Sequence, residues 1–60
     1  MWCTVVLLKN EQLTAVGCDS RDVFLVAKSR DSGICGVFAS RGLADRFIAG
    51  LRGALRVRGG

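Results

Sequence analysis

Apolar residues cluster in short runs along the first forty positions of the chain, with brief polar segments between them. Four of these runs are rich in β-branched or aromatic residues and cover residues 2–9, 12–18, 23–29 and 34–39. Runs of this length suit strands, whereas helices of globular proteins are usually longer. The pattern therefore predicts four β-strands.

The polar segments between the runs predict turns. Residues 10–11 suit a tight turn, and residues 19–22 suit a longer one in which Asp19 bonds the backbone two residues further on. Residues 30–33 suit a third turn, with Gly33 free to adopt a positive φ angle. Connections this short cannot hold a crossover between parallel strands, so we expect neighbouring strands to be antiparallel.

Two glycines, Gly17 and Gly36, lie inside predicted strands. A glycine in a strand interior leaves no side chain to pack and often marks a β-bulge or a close approach to the backbone. We expect one of these two features at each position.

The periodicity changes after Ser40, where apolar residues begin to recur at intervals of three and four. They are Leu43, Ala44, Phe47, Ile48, Leu51, Ala54 and Leu55. This spacing predicts an amphipathic helix, with the Ser40 hydroxyl as its N-cap. The predicted fold is therefore α+β, a four-stranded antiparallel meander followed by one C-terminal amphipathic helix (ββββα), in a single domain spanning residues 1–60.

Both faces of the predicted sheet carry apolar residues. In the first run Val5 and Leu7 point to one face, while Val6 and Leu8 point to the other. An antiparallel sheet with one solvated face should instead alternate between apolar and polar residues. A single helix covers only one face, so we predict that a partner covers the second, most simply another copy in a homodimer.

Three cysteines and the absence of histidine limit the possible metal and redox chemistry. The cysteines, Cys3, Cys18 and Cys35, are widely spaced and lie in apolar runs. We predict that they are core residues in a reducing compartment and that the protein has no metal or cofactor. The alternatives are one disulfide with a thiol left over, or a zinc site of three cysteines and a carboxylate.

Enzymatic constellations are nearly absent from the sequence. Without histidine there is no Ser-His or Cys-His pair, and the carboxylates lie mostly in turns. The apolar stretch at residues 2–8 has no basic residue before it and no small-residue cleavage site after it, and it is too short to span a bilayer. We therefore predict a cytoplasmic, non-enzymatic protein that does not associate with membranes.

The excess positive charge lies in the predicted helix. The net charge is +4, and charges cancel over residues 1–40. Residues 41–60 contain a single acid, Asp45, and five arginines, namely Arg41, Arg46, Arg52, Arg56 and Arg58. On a helical wheel Arg41, Arg52 and Arg56 share one side with Asp45, and Arg46 lies farther round the helix. The small residues between them are Gly42, Ala49 and Gly53. The candidate partner-binding residues are Arg41, Arg46, Arg52 and Arg56.

Such an arginine-rich surface suits an acidic protein surface or a nucleic acid as its partner, although it also suits a merely solvated helix face. Trp2 and Phe24 complete the candidate partner-binding set, because aromatic side chains on an open sheet face can stack on bases. Packing in the core is the alternative role for both.

Two segments carry resemblances to known proteins. The stretch Gly-Val-Phe-Ala-Ser at residues 36–40, followed by Ala44, Phe47 and Ile48, resembles a strand–helix junction of short, mostly unannotated bacterial and phage proteins. This resemblance implies an accessory protein of a class that includes small inhibitors of host defence. The run Leu-Arg-Val-Arg-Gly-Gly at residues 55–60 resembles the C-terminal tail of ubiquitin, in which the last glycine is activated for conjugation. In ubiquitin-like folds a strand precedes that tail, whereas here the predicted helix does.

These observations lead to one principal functional prediction and two alternatives. The principal prediction is a non-enzymatic interaction protein that binds a larger macromolecule, for example as a phage-encoded inhibitor of a host defence protein. The first alternative is a small nucleic-acid-binding protein that uses the arginine-rich helix. The second is a ubiquitin-like modifier with a functional Gly-Gly tail.

Overall fold

The computed structural model describes the backbone of residues 1–59 and the side chains of residues 1–53. The side chain of Arg56 and the ubiquitin-like resemblance at residues 55–60 therefore lie outside the described side chains. The described elements are, in order, β1 (Trp2–Lys9), β2 (Gln12–Asp19), a 3₁₀ turn (Ser20–Asp22), α1 (Val23–Ser29), β3 (Gly33–Phe38) and α2 (Arg41–Gly59).

The three strands form one sheet in the order β2-β1-β3, and β1 pairs antiparallel with both neighbours. The β1–β2 hairpin closes through Asn10 and Glu11, whose φ angles are 51° and 64°. Two successive positive φ angles define a type I′ turn, which matches the right-handed twist of the strands. The predicted tight turn is therefore confirmed.

The segment Val23–Ser29 is a helix, so the predicted four-stranded meander with a single helix is wrong. Its buried residues, Val23 and Ala27, lie four apart, with half-buried Val26 between them, which is helical spacing. A short run rich in β-branched residues fits a strand and a buried helix equally well, and here the tertiary context decides. Because β2 and β3 flank β1, they run parallel to each other, and α1 forms the crossover between them.

The end of α1 is a Schellman motif. The backbone N–H of Ser32 donates to the carbonyl of Ala27 at 2.9 Å, and that of Asp31 donates to the carbonyl of Lys28 at 3.1 Å. Asp31 occupies the left-handed position with φ of 53°. The positive φ that was expected at Gly33 is therefore at Asp31 instead.

The two helices cover opposite faces of the sheet. Between α1 and the sheet lies a cluster formed by Cys3, Val5 and Leu7 of β1, Cys18 of β2, and Val23 and Ala27 of α1. Against α2, a second cluster comprises Val6, Ala44 and Ile48, with partly buried Leu13, Ala15, Phe38 and Phe47 around it. The premise that one sheet face lacks a covering helix is therefore wrong, while the homodimer itself stays a prediction.

The glycines inside the strands accommodate aromatic rings on the α2 side of the sheet. A Cβ atom at Gly17 would lie 2.9 Å from Cζ2 of Trp2, and one at Gly36 would lie 2.8 Å from Cε2 of Phe38. The β1–β3 register also shifts next to Gly36, between Val6 and Leu7. The expected close approaches, and a bulge, are thus confirmed.

Candidate interaction surfaces

The basic flank of α2 lies beside the β2 edge of the sheet. Arg41, Asp45 and Arg52 are on this flank, as the helical wheel predicted. Together with β2 they form a groove of about 440 Å³ lined by Leu13, Thr14, Ala15, Arg41, Asp45, Ile48, Ala49 and Arg52. We call this feature the β2 groove. It begins near the helix N-terminus, where the Ser40 hydroxyl accepts the backbone N–H of Leu43 at 3.3 Å, as expected of an N-cap.

The two arginines of the β2 groove differ in their charge environment. Nε of Arg41 lies 3.2 Å from Oδ1 of Asp45, one helical turn further on, so the charge of this arginine is partly neutralised. Arg52 is exposed and forms no ion pair with any residue whose side chain is described. Arg52 is therefore the less neutralised of the two, and its acidic neighbour Glu11, which lines an adjoining cleft, forms no ion pair with it.

The remaining candidate arginines do not extend this groove. Arg46 is exposed on the outer side of α2, and the exposed small residues Gly42, Ala49 and Gly53 separate it from Arg41 and Arg52 around the helix. Arg56 lies outside the described side chains. The structure thus brings together Arg41 and Arg52 but separates Arg46 from them.

The two candidate aromatic residues lie on opposite sides of the sheet. The indole of Trp2 rests over Gly17 on the α2 side and is 70% exposed. Phe24 belongs to α1, which covers the other face, and is 81% exposed. The pair does not form a common stacking platform for nucleic-acid bases.

Phe24 was a candidate from the sequence, but the exposed apolar surface to which it belongs on the α1 side was not predicted. Phe24 and Leu25 project from α1 into solvent, and the register places Val37 beside Val5 and Ile34 beside Leu7, on the face that α1 partly covers. We call Phe24, Leu25, Ile34 and Val37 the α1 surface. Only the helical assignment of residues 23–29 reveals it, because a strand would have placed Phe24 and Leu25 on opposite faces.

Charged groups cluster around Asp19, where β2 ends. Its carboxylate accepts the backbone N–H of Arg21 at 2.9 Å, contacts Nε of Arg21 at 3.1 Å and lies 3.2 Å from the amino group of Met1. The backbone hydrogen bond from Arg21, with smaller contributions from its side chain and from that amine, lowers the pKa of Asp19. The expected turn is confirmed, and the cluster fixes the entry to α1.

The cysteines divide into a buried pair and an exposed residue. Cys3 and Cys18 are directly opposite each other on β1 and β2, and both are free thiols in the α1 core. Burial, together with the neighbouring Cys3, raises the pKa of Cys18. Cys35 is exposed beside an apolar cleft on the α2 side, so the expectation of a core role is wrong for this residue.

The described part of the chain holds no group of three or more cysteine or carboxylate side chains that could together bind a metal ion. Neither of its helices combines the length and the apolar content that a transmembrane span requires. What these residues offer chemically is an apolar surface, a basic groove and open strand edges, which are binding features.

Comparison with known proteins gives no family assignment. No protein-family model matches the chain, no curated protein is significantly similar to it, and no solved structure has significant similarity to its fold.

Proposed function

We propose that this chain is a non-enzymatic interaction protein whose α1 surface binds another protein, either a larger target or a second copy of the chain. The observation that carries the proposal is the exposure of four large apolar side chains on one side of the sheet. The exposed fractions are 81% for Phe24, 66% for Leu25, 51% for Val37 and 36% for Ile34.

The length of α1 explains why this side of the sheet remains open. Its seven residues rise only about 10 Å along the helix axis, and its buried residues, Val23 and Ala27, pack against β1 and β2. The apolar side chains of the edge strand β3 therefore stay in contact with water. Burying a large apolar side chain contributes roughly 1.5–3 kcal/mol, so a partner that covers this surface gains substantial binding free energy.

A second copy of the chain is one partner that fits this chemistry. Two α1 surfaces related by a two-fold axis would bury the same residues on both protomers. This homodimer differs from the one predicted from sequence, because it would bury the α1 surface and not a whole uncovered face of the sheet.

The test compares two variants that keep the charge and remove exposed apolar area. We expect Phe24→Ser with Leu25→Ser to abolish self-association in sedimentation velocity, or to abolish cross-linking to the target in cells of the source organism. Leu43→Ser is the matched control, because Leu43 is 47% exposed but belongs to α2. Binding that survives the double substitution while the control behaves identically would refute the proposal.

Nucleic-acid binding is the second candidate function, and the concentration of arginines on α2 supports it. Contacts to phosphates release counterions, so affinity for an oligonucleotide would fall steeply with salt. Binding through the α1 surface would change little over the same range. Fluorescence anisotropy with single- and double-stranded oligonucleotides at two salt concentrations distinguishes the two functions.

A further inference from the structure

We infer that the β2 groove binds an acidic peptide segment in extended conformation, which adds to the sheet as a fourth strand beside β2. The groove lies against α2, whereas the α1 surface lies on the other side of the sheet. This inference therefore does not depend on the proposed function, and each has its own test.

One edge of β2 is open to a further strand. Among the described elements β2 pairs only with β1. In a two-residue hairpin the residues that flank the turn, here Lys9 and Gln12, form a hydrogen-bonded pair. Along the two strands such pairs alternate with pairs whose backbone N–H and C=O groups point away from the partner strand. The backbone groups of Thr14 therefore point to β1, while those of Leu13 and Ala15 point outward and are available to another strand.

Over residues 13–18 this edge of β2 lacks the usual protection against pairing. Edge strands are commonly blocked by lysine, proline or an inward-pointing charge. Residues 13–18 of β2 contain none of these. An added strand would lie about 4.8 Å from β2 and would direct alternate side chains toward the flank of α2 that lines the groove.

The two arginines of the β2 groove complement acidic side chains at a defined spacing. Arg41 and Arg52 are eleven positions apart on α2, which corresponds to roughly 16 Å. Side chains on one face of a strand are about 6.7 Å apart, so two acids four residues apart span about 13 Å, within reach of both flexible arginines. Asp45 lies between the arginines and disfavours an acid at the central position. The preferred peptide therefore has three successive side chains on the face toward α2, of which the outer two are acidic and the central one is neutral.

A nucleic acid would use the same arginines differently. Its phosphates would approach Asp45 as well as Arg41 and Arg52, and it offers no backbone N–H and C=O groups to the β2 edge. These two features favour the peptide as the occupant.

The experiment uses the full chain and a fluorescein-labelled peptide of about nine residues, which is within the usual length of a strand. The peptide alternates threonine and valine, except that its third and seventh residues are glutamate. The matched probe has glutamine at both positions. We expect fluorescence polarisation to show saturable binding of the glutamate peptide, at least tenfold tighter than the glutamine peptide. Arg52→Gln should weaken binding about tenfold, and Arg46→Gln should not change it, because Arg46 lies outside the groove.

Amide hydrogen exchange measured by NMR gives the second measurement. The peptide should slow exchange at the amides of Leu13 and Ala15 and leave that of Thr14 unchanged. The inference is overturned by no saturable binding of the glutamate peptide, by equal binding of the two peptides, or by unprotected Leu13 and Ala15 amides. Displacement of the peptide by a tighter-binding oligonucleotide would also overturn it, in favour of nucleic acid.

Discussion

The β1–β2 turn contains a residue that is poorly suited to its backbone conformation. Asn10 and Glu11 both have positive φ, and asparagine tolerates this region whereas glutamate does not. We expect Glu11→Gly to raise the free energy of unfolding by about 1 kcal/mol, because it relieves the left-handed strain. Urea denaturation followed by circular dichroism measures the change.

Two further variants separate this effect from charge and from glycine itself. Glu11→Gln removes the charge but keeps the strain, so it should leave stability nearly unchanged. Gln12→Gly should be destabilising, because Gln12 is in a strand without positive φ. Equal stabilisation by Glu11→Gln would show that charge, and not backbone strain, is responsible.

Asp19 makes stability depend on pH at the acid end. Its pKa in the folded protein lies below the ordinary value of 3.8, because the carboxylate accepts the N–H of Arg21. A carboxylate with a lowered pKa contributes stability above its unfolded pKa, and that contribution is lost as the pH falls through the folded pKa. We expect Asp19→Asn to flatten the decline of the urea midpoint below about pH 4. Asp22→Asn is the matched control, because it removes a carboxylate of the same turn that makes no capping hydrogen bond. An unchanged profile in Asp19→Asn would contradict this role.

At the scale of elements, the sequence predicts the strands and helices whose local pattern of apolar and polar residues identifies them without knowledge of tertiary packing. The predicted bounds of β1, β2, β3 and α2 agree with the structure to within one residue at most ends. The strands are apolar runs bounded by turn signals, and α2 keeps a 3.6-residue period. The basic flank of α2 could be predicted in the same way, from the wheel positions of Arg41 and Arg52. In α1 the pattern covers only seven residues, so its identity depends on the sheet face that it covers. The α1 surface could not be predicted without knowing that residues 23–29 form a helix.

Two acidic substitutions in α1 test its helical geometry. A strand would place Leu25 and Ala27 on the same face, whereas the helix buries Ala27 to 5% exposure and leaves Leu25 66% exposed. We therefore expect Ala27→Glu to unfold the protein, because it buries a charge without a partner. Leu25→Glu should retain a native circular dichroism spectrum and lose less than about 0.5 kcal/mol. Comparable effects of the two substitutions would indicate a strand.

At the scale of the whole molecule, β1 joins two small cores. Val5 and Leu7 belong to the cluster under α1, and Val6 belongs to the cluster under α2, with exposed fractions of 0–2% for all three. A chain of 60 residues buries too little surface for either cluster to be stable alone. Because the central strand is shared, loss of one cluster should remove the support of the other, and unfolding should be cooperative.

Thiol labelling measures this coupling directly. Phe47 packs against Phe38 at a ring-centroid distance of 5.1 Å in the α2 cluster, while Cys3 and Cys18 lie in the α1 cluster. We expect Phe47→Ala to destabilise the protein by about 2 kcal/mol, less than a fully buried phenylalanine would. In a Cys35→Ser background, which removes the exposed thiol, labelling of the two buried cysteines should become about thirtyfold faster.

The control for this experiment is Leu43→Ala, an exposed position on the same helix, which should leave the labelling rate unchanged. The labelling must be performed where opening and reclosing are faster than the thiol reaction, so that the rate reports the opening equilibrium. If Phe47→Ala lowered the urea midpoint without accelerating the labelling of Cys3 and Cys18, then α2 would detach from a sheet that keeps its α1 core. The molecule would then consist of two units that open independently, and the shared strand β1 would not couple them.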